Sequence, residues 1–133
     1  MADGEGLSAL GAELTRQAPI EMAALPHLNA LLTTPPSGAP EAQLAQLLEA
    51  TLELVELPDN DFSWSSWRDA THASGELGEY LVQVRSGRLP SRLDLSVIFA
   101  TTGPLQELSL SSGWADAFLK LADRFDSLES KLW

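Results

Sequence analysis

Residues Arg92–Trp133 read RLDLSVIFATTGPLQELSLSSGWADAFLKLADRFDSLESKLW, and the reading of this stretch decides the fold class. Leu93, Leu95, Val97 and Phe99 alternate with Asp94, Ser96, Ile98 and Ala100, which is the period of a strand with one buried face. Thr101-Thr102-Gly103-Pro104 breaks the run. Alternation resumes from Leu105 to Leu110, with Gln106, Leu108 and Leu110 on one side. Two short runs joined by a glycine-containing break predict an antiparallel β-hairpin over residues 93–110. Beyond it, Trp114, Ala117, Phe118, Leu121, Ala122, Phe125, Leu128 and Leu132 fall on one stripe at the helical period. A lone hairpin is marginal in water, so the stripe is expected to cover its apolar face. The expected class is therefore α+β: a helix-rich single domain over residues 1–133, with one hairpin followed by a C-terminal amphipathic helix.

Upstream of the hairpin the pattern is helical. Residues 40–57 predict a well-buried helix: Pro40 and Glu41 suit its first turn, Leu44, Leu47, Leu48, Leu52, Leu54 and Val55 cover a wide arc, and Pro58 stops it. A further helix is expected from about Phe62 to Arg85, capped by Asp59 or Asp61, with Trp67, Ala70, Ala73, Leu77, Tyr80, Leu81 and Val84 as its apolar face. Gly75 and Gly78 interrupt that helix and imply either a close backbone approach or a bend. Thr33–Pro40 is a loop. Within residues 1–34, Leu7, Leu10 and Leu14 have helical spacing weakened by glycines, and Pro19 and Pro26 suit the first turns of short helices, so a loosely packed helical region is expected there.

Composition narrows the function. The chain has 133 residues, 44% of them hydrophobic, enough for one real core. It has no cysteine, which excludes disulfides, thiolate chemistry and cysteine-based zinc sites. The N-terminus lacks the basic and apolar regions of a signal peptide, and no run approaches a membrane span, so a soluble cytoplasmic protein is expected. Nineteen acids against eight bases give a net charge of -11. That balance argues against nucleic acid or anionic lipid as a direct ligand, since phosphate contacts need lysine and arginine, and it suits a basic protein partner.

Catalytic equipment is sparse. Only His27 and His72 are available to a triad, no nucleophile elbow or phosphate loop is present, and no cofactor is implied. Asp69, His72, Glu76 and Glu79 share about a quarter of one helix circumference, and His72 and Glu76 have the i, i+4 spacing of a helical metal pair. A second ligand pair on another helix is lacking, so a solvated polar face explains them better. From Gln17 to Trp67 there is no lysine or arginine, while Glu49, Glu53 and Glu56 repeat at i, i+4 and i+7 and Asp59 and Asp61 follow. Those five acids, together with an exposed Trp64, are the candidate partner-binding surface.

The segment Phe99–Trp114, FATTGPLQELSLSSGW, followed by ADAFLKLADRFD, resembles a small uncharacterised bacterial protein family with a Thr-Gly-x-Leu-Gln-Glu turn leading to Gly-Trp and an acidic amphipathic helix. Gly103, Gln106, Glu107, Gly113 and Trp114 carry the resemblance, which covers the C-terminal third and implies no activity. Each also has a structural reading as turn, strand pairing, helix start or core. The function expected is a non-enzymatic acidic domain binding a basic protein, such as an immunity-type protein neutralising a cationic toxin. An adaptor or secretion chaperone is the first alternative, and a metal-binding protein or enzyme using the His72 face the second. A homodimer is compatible with all three.

Overall fold

In the computed structural model, which describes residues 24–133, the elements in chain order are α1 (Pro26–Thr33), α2 (Pro40–Val55), α3 (Ala70–Arg85), α4 (Arg92–Phe99), α5 (Pro104–Ser112) and α6 (Ala115–Leu132). Two helices hold the others together. The α2 helix packs against α1, α3 and α6, while α6 packs against α2, α4 and α5. The expected helices over residues 7–14 and at Pro19 lie outside the described residues.

The reasons α2 and α6 take this role are visible in their faces. Leu44, Leu47, Leu48, Leu54 and Val55 of α2 are fully buried, and Thr51, also buried, donates from Oγ1 to the Leu47 carbonyl at 2.8 Å, so no polar atom of the side chain is stranded. On α6, Ala117, Phe118, Leu121, Phe125 and Leu128 are buried on the expected stripe, with Trp114 just ahead of the helix. Phe125 stacks on Phe99 of α4, ring centroids 4.9 Å apart and planes 14° from parallel.

The α+β expectation is overturned: among the described residues there is no strand, and residues 93–110 are two helices joined at a corner. Leu95, Ile98 and Phe99 are buried while Leu93 and Val97 are 71% and 52% exposed, so the working period on α4 is i, i+3, i+4. A strand would have buried Leu93 with Leu95 and Val97 with Phe99. Ser91 caps α4, its hydroxyl accepting from the Asp94 amide at 3.3 Å. On α5, Leu105 and Leu108 are buried and Leu110 is 63% exposed. The supposed hairpin turn is a helix stop followed by a helix start. Pro104 occupies the first turn of α5, where its missing N–H costs nothing. Gly113 closes that helix at φ 87°, with the amides of Gly113 and Trp114 both donating to the Ser109 carbonyl at 3.0 Å.

Gly103 makes the corner between α4 and α5 sterically possible. A Cβ there would sit 2.1 Å from the Val97 carbonyl oxygen, with the Ile98 and Ala100 carbonyl oxygens at 3.2 and 3.3 Å. The four residues Ala100–Gly103 form a tight turn closed by the Gly103 amide, which donates to the Ala100 carbonyl at 3.0 Å.

A second correction concerns α3. It begins at Ala70, not near Phe62, and its cap is Asp69, whose carboxylate accepts from the His72 amide at 2.9 Å, rather than Asp59 or Asp61. Polar side chains divert the preceding segment into turns. Asp61 Oδ1 accepts from the Ser63 amide at 3.0 Å, and Ser65 Oγ accepts from the Trp67 amide at 3.2 Å, so local side-chain bonds compete with the helical ladder. Gly75 and Gly78 do not mark a close backbone approach, since nothing lies within 4 Å of a Cβ built at either one.

Candidate functional site

Of the acids expected to form an open ridge, three are bound up within the fold. Glu53, on α2, reaches the start of α1 and accepts from the amides of His27 and Leu28 at 2.8 and 2.7 Å. Those are first-turn donors without helical partners, and the carboxylate also meets the positive end of the helix. Glu49 pairs with Arg85 of α3 and lies 3.5 Å from His27 Nδ1. Glu56 Oε2 accepts from Ser74 Oγ at 3.0 Å. The row therefore serves α1 on one side and α3 on the other.

At the far end of α1, Arg124 of α6 donates from Nη2 to the Leu31 carbonyl at 2.5 Å and to the Thr34 carbonyl at 3.3 Å. An eight-residue helix too short to stand alone is thus held by a carboxylate at its N-terminus and a guanidinium at its C-terminus. Glu53→Ala leaves the Leu28 amide without its partner and is expected to lower stability by about 1–3 kcal/mol. Chemical denaturation followed by circular dichroism measures it, and a change below about 0.5 kcal/mol would mean the carboxylate does not seat α1.

Asp59, Asp61 and Trp64 have a different setting. They lie on the α2–α3 loop, residues 56–69, and that loop is tied down along its length. Asn60 donates from Nδ2 to the Leu54 carbonyl at 2.8 Å and accepts from Trp114 Nε1 at 2.8 Å. The Asp61 amide donates to Ser112 Oγ at 2.9 Å, and its carbonyl accepts from Ser111 Oγ at 2.6 Å. Ser65 Oγ donates to the Pro104 carbonyl at 3.0 Å. The loop therefore runs antiparallel to α5, fastened near both ends of that helix.

From this tethered loop Trp64 projects 75% exposed, the highest value among the exposed large apolar side chains of the described residues. Phe62 is half-buried against the core, and Trp67 is buried with its Nε1 donating to Glu76 Oε1 at 2.7 Å. Asp59 and Asp61 are exposed. The two bonds from Ser63 hold the Asp61 carboxyl below its ordinary range. Asp59, Asp61 and Trp64 thus share one exposed loop, whereas Glu49, Glu53 and Glu56 are each engaged with α1 or α3.

Of the candidate metal residues, Asp69, His72 and Glu76 are engaged within the fold. His72 Nδ1 accepts from the Arg68 amide at 3.0 Å while the His72 amide donates to Asp69 Oδ1 at 2.9 Å, so the ring and the carboxylate both serve the start of α3. Glu76 accepts from Trp67 through Oε1 and from the Tyr80 hydroxyl through Oε2 at 3.3 Å. Burial, then the charge of Glu76, pushes the Tyr80 hydroxyl up to about 12. Glu79 is exposed on the same helix. Among the described residues no three of His, Cys, Asp and Glu gather closely enough to hold an ion.

Asn60, Ser111 and Ser112 fix the loop, yet they carry no signal in the sequence. Their contacts join positions 50 or more apart, and serine and asparagine in a loop ordinarily face water. The family-like positions have structural jobs: Gly103 makes the corner, Gly113 ends α5 and Trp114 anchors Asn60, whereas the strand pairing expected of Gln106 and Glu107 is replaced by places on α5. No protein-family model, no curated protein and no solved structure matches this chain. Among the described residues no helix is long and apolar enough to cross a membrane.

Proposed function

We propose that this chain is a non-enzymatic binding domain that docks a basic protein partner through the α2–α3 loop, with Trp64 as the anchor and Asp59 and Asp61 as the charges that select it. The observation that carries this reading is a tryptophan 75% exposed on a loop fastened at Asn60, Asp61 and Ser65. Leaving that much apolar surface in water is unfavourable, and a tethered loop presents it without the ordering cost a mobile one would incur on binding. Tryptophan is enriched among residues that dominate interface energetics. A net charge of -11 favours encounter with a cationic surface, and the exposed carboxylates of Asp59 and Asp61 on the same loop orient it. An immunity-type protein covering a cationic toxin in the cytoplasm is one member of this class.

The test is comparative capture from a host lysate, with the wild-type chain, Trp64→Ala and the double variant Asp59→Asn, Asp61→Asn as baits. All three substituted side chains are exposed, so the variants are expected to melt like the wild type. The expected result is a basic protein retained by the wild type, lost from the tryptophan variant with at least about 2 kcal/mol of affinity, and more weakly retained by the double variant as salt rises. Identical capture by all three baits would remove the loop from the binding surface.

A further inference from the structure

Three of the eight basic residues, Lys120, Arg124 and Lys131, lie on a single stripe of α6 at i, i+4 and i+11, against a net charge of -11 for the whole chain. The stripe lines a cleft of about 410 Å³ together with Leu32, Pro36 and, on α2, Gln43. A second hollow of about 310 Å³ continues it along α1 and shares Pro36 and Arg124 with it. Asp123 and Ser127 also line the first cleft, so its charged lining is three bases against one acid. Among the described residues no carboxylate lies within salt-bridge distance of Lys120, Arg124 or Lys131, whereas Arg85 and Arg92 are both paired. Arg124 is held in place by the Leu31 and Thr34 carbonyls, and a guanidinium has five N–H donors, so donors remain for a ligand.

We propose that this cleft binds an acidic peptide segment in extended conformation. Eleven residues of helix place Lys120 and Lys131 about 16 Å apart along the axis, with Arg124 between them. That is too long a line for one phosphate or one small dicarboxylate to span. An extended peptide advances roughly 3.4 Å per residue, so about five residues cover the distance and acids on alternate positions meet the stripe. The apolar lining residues Leu32 and Pro36 accommodate the side chains between them, and Gln43 offers both a donor and an acceptor to the peptide backbone. Nucleic acid has the charge but is repelled by the rest of the surface over its greater length. The cleft shares no residue with the Trp64 loop, so the two surfaces have opposite sign and separate ligands.

The experiment is fluorescence polarisation with a labelled eight-residue peptide of alternating Glu and Val at low ionic strength. Its arms are the wild type, the double variant Lys120→Glu, Lys131→Glu and, as a control, Trp64→Ala. Both lysines are exposed, and unchanged melting temperatures verify the fold. The expected result is saturable binding by the wild type and by Trp64→Ala, weakened about tenfold or more in the double variant and by added salt. Loss in Trp64→Ala instead would place the peptide on the loop and overturn the cleft. Absence of wild-type binding, equal binding by the double variant, or displacement by equimolar inorganic phosphate would each overturn the proposal, the last showing a small-anion site only.

Discussion

Phe118→Ala and Phe125→Ala are each expected to lower the free energy of unfolding by about 3–5 kcal/mol, the cost of lost transfer energy plus the cavity left behind. Both rings are almost fully buried on α6, at 1% and 2% exposure. Phe125 in addition loses its stacked partner Phe99, through which α4 is held to α6. Cavities at these two points detach different neighbours, so their effects are expected to add only partly, both lying on one helix and in one core. Urea denaturation followed by circular dichroism gives the numbers. Losses below about 1 kcal/mol for either variant would mean that α6 is not the helix the others pack against.

Gly103→Ala is the second large effect, and a methyl group is enough to produce it. The added carbon would overlap the Val97 carbonyl oxygen at 2.1 Å, and the obstacle is backbone at the last turn of α4, which cannot rotate aside like a side chain. The variant is expected to lose about 3 kcal/mol, the upper end of what overpacking costs, as the corner opens and α4 and α5 move apart. Nearby, Thr102→Ala is the control, since Thr102 is exposed. A stable Gly103→Ala protein would show that the corner has slack.

The same corner explains what the sequence conceals. Over eight or nine residues a helical and an alternating pattern share many positions, and Leu95 and Phe99 are buried under either reading. The deciding signs were the helix boundaries. Ser91 with Asp94 three residues on, Pro104 in a first turn and Gly113 just past a last one are all start and stop signals, and they outweigh the alternation of Leu93 and Val97. By contrast α6 was legible because eighteen residues leave only one period that fits. For α2 the buried arc was legible but the destination of Glu49, Glu53 and Glu56 was not. Acids at i, i+4 and i+7 show which face they share, while Arg85, Ser74 and the α1 amides reach that face from 18 to 36 residues away.

The sequence predicts Trp64 exposed on the polar face of a helix from about Phe62, but it is exposed on a loop ahead of α3, where helical periodicity has no bearing. The tethering of that loop was not legible either, because it depends on Trp114 meeting Asn60 and on two serines meeting Asp61 across more than 50 residues or close to it. The polar bonds along the loop also set its behaviour. A segment held at Asn60, Asp61 and Ser65 is expected to bind with little rearrangement, so affinity differences among Trp64 variants should appear in the dissociation rate, and those among Asp59 and Asp61 variants in the association rate.

Hydrogen–deuterium exchange of the chain, free and in the presence of the basic protein proposed to bind it, tests the central claim most directly. The account predicts new protection of the amides from Asp59 to Trp67 on binding, together with reduced exposure of Trp64, while the outer face of α4 exchanges as before. Protection confined to α4 or to the outer face of α6, with the amides of residues 59–67 unchanged, would contradict it.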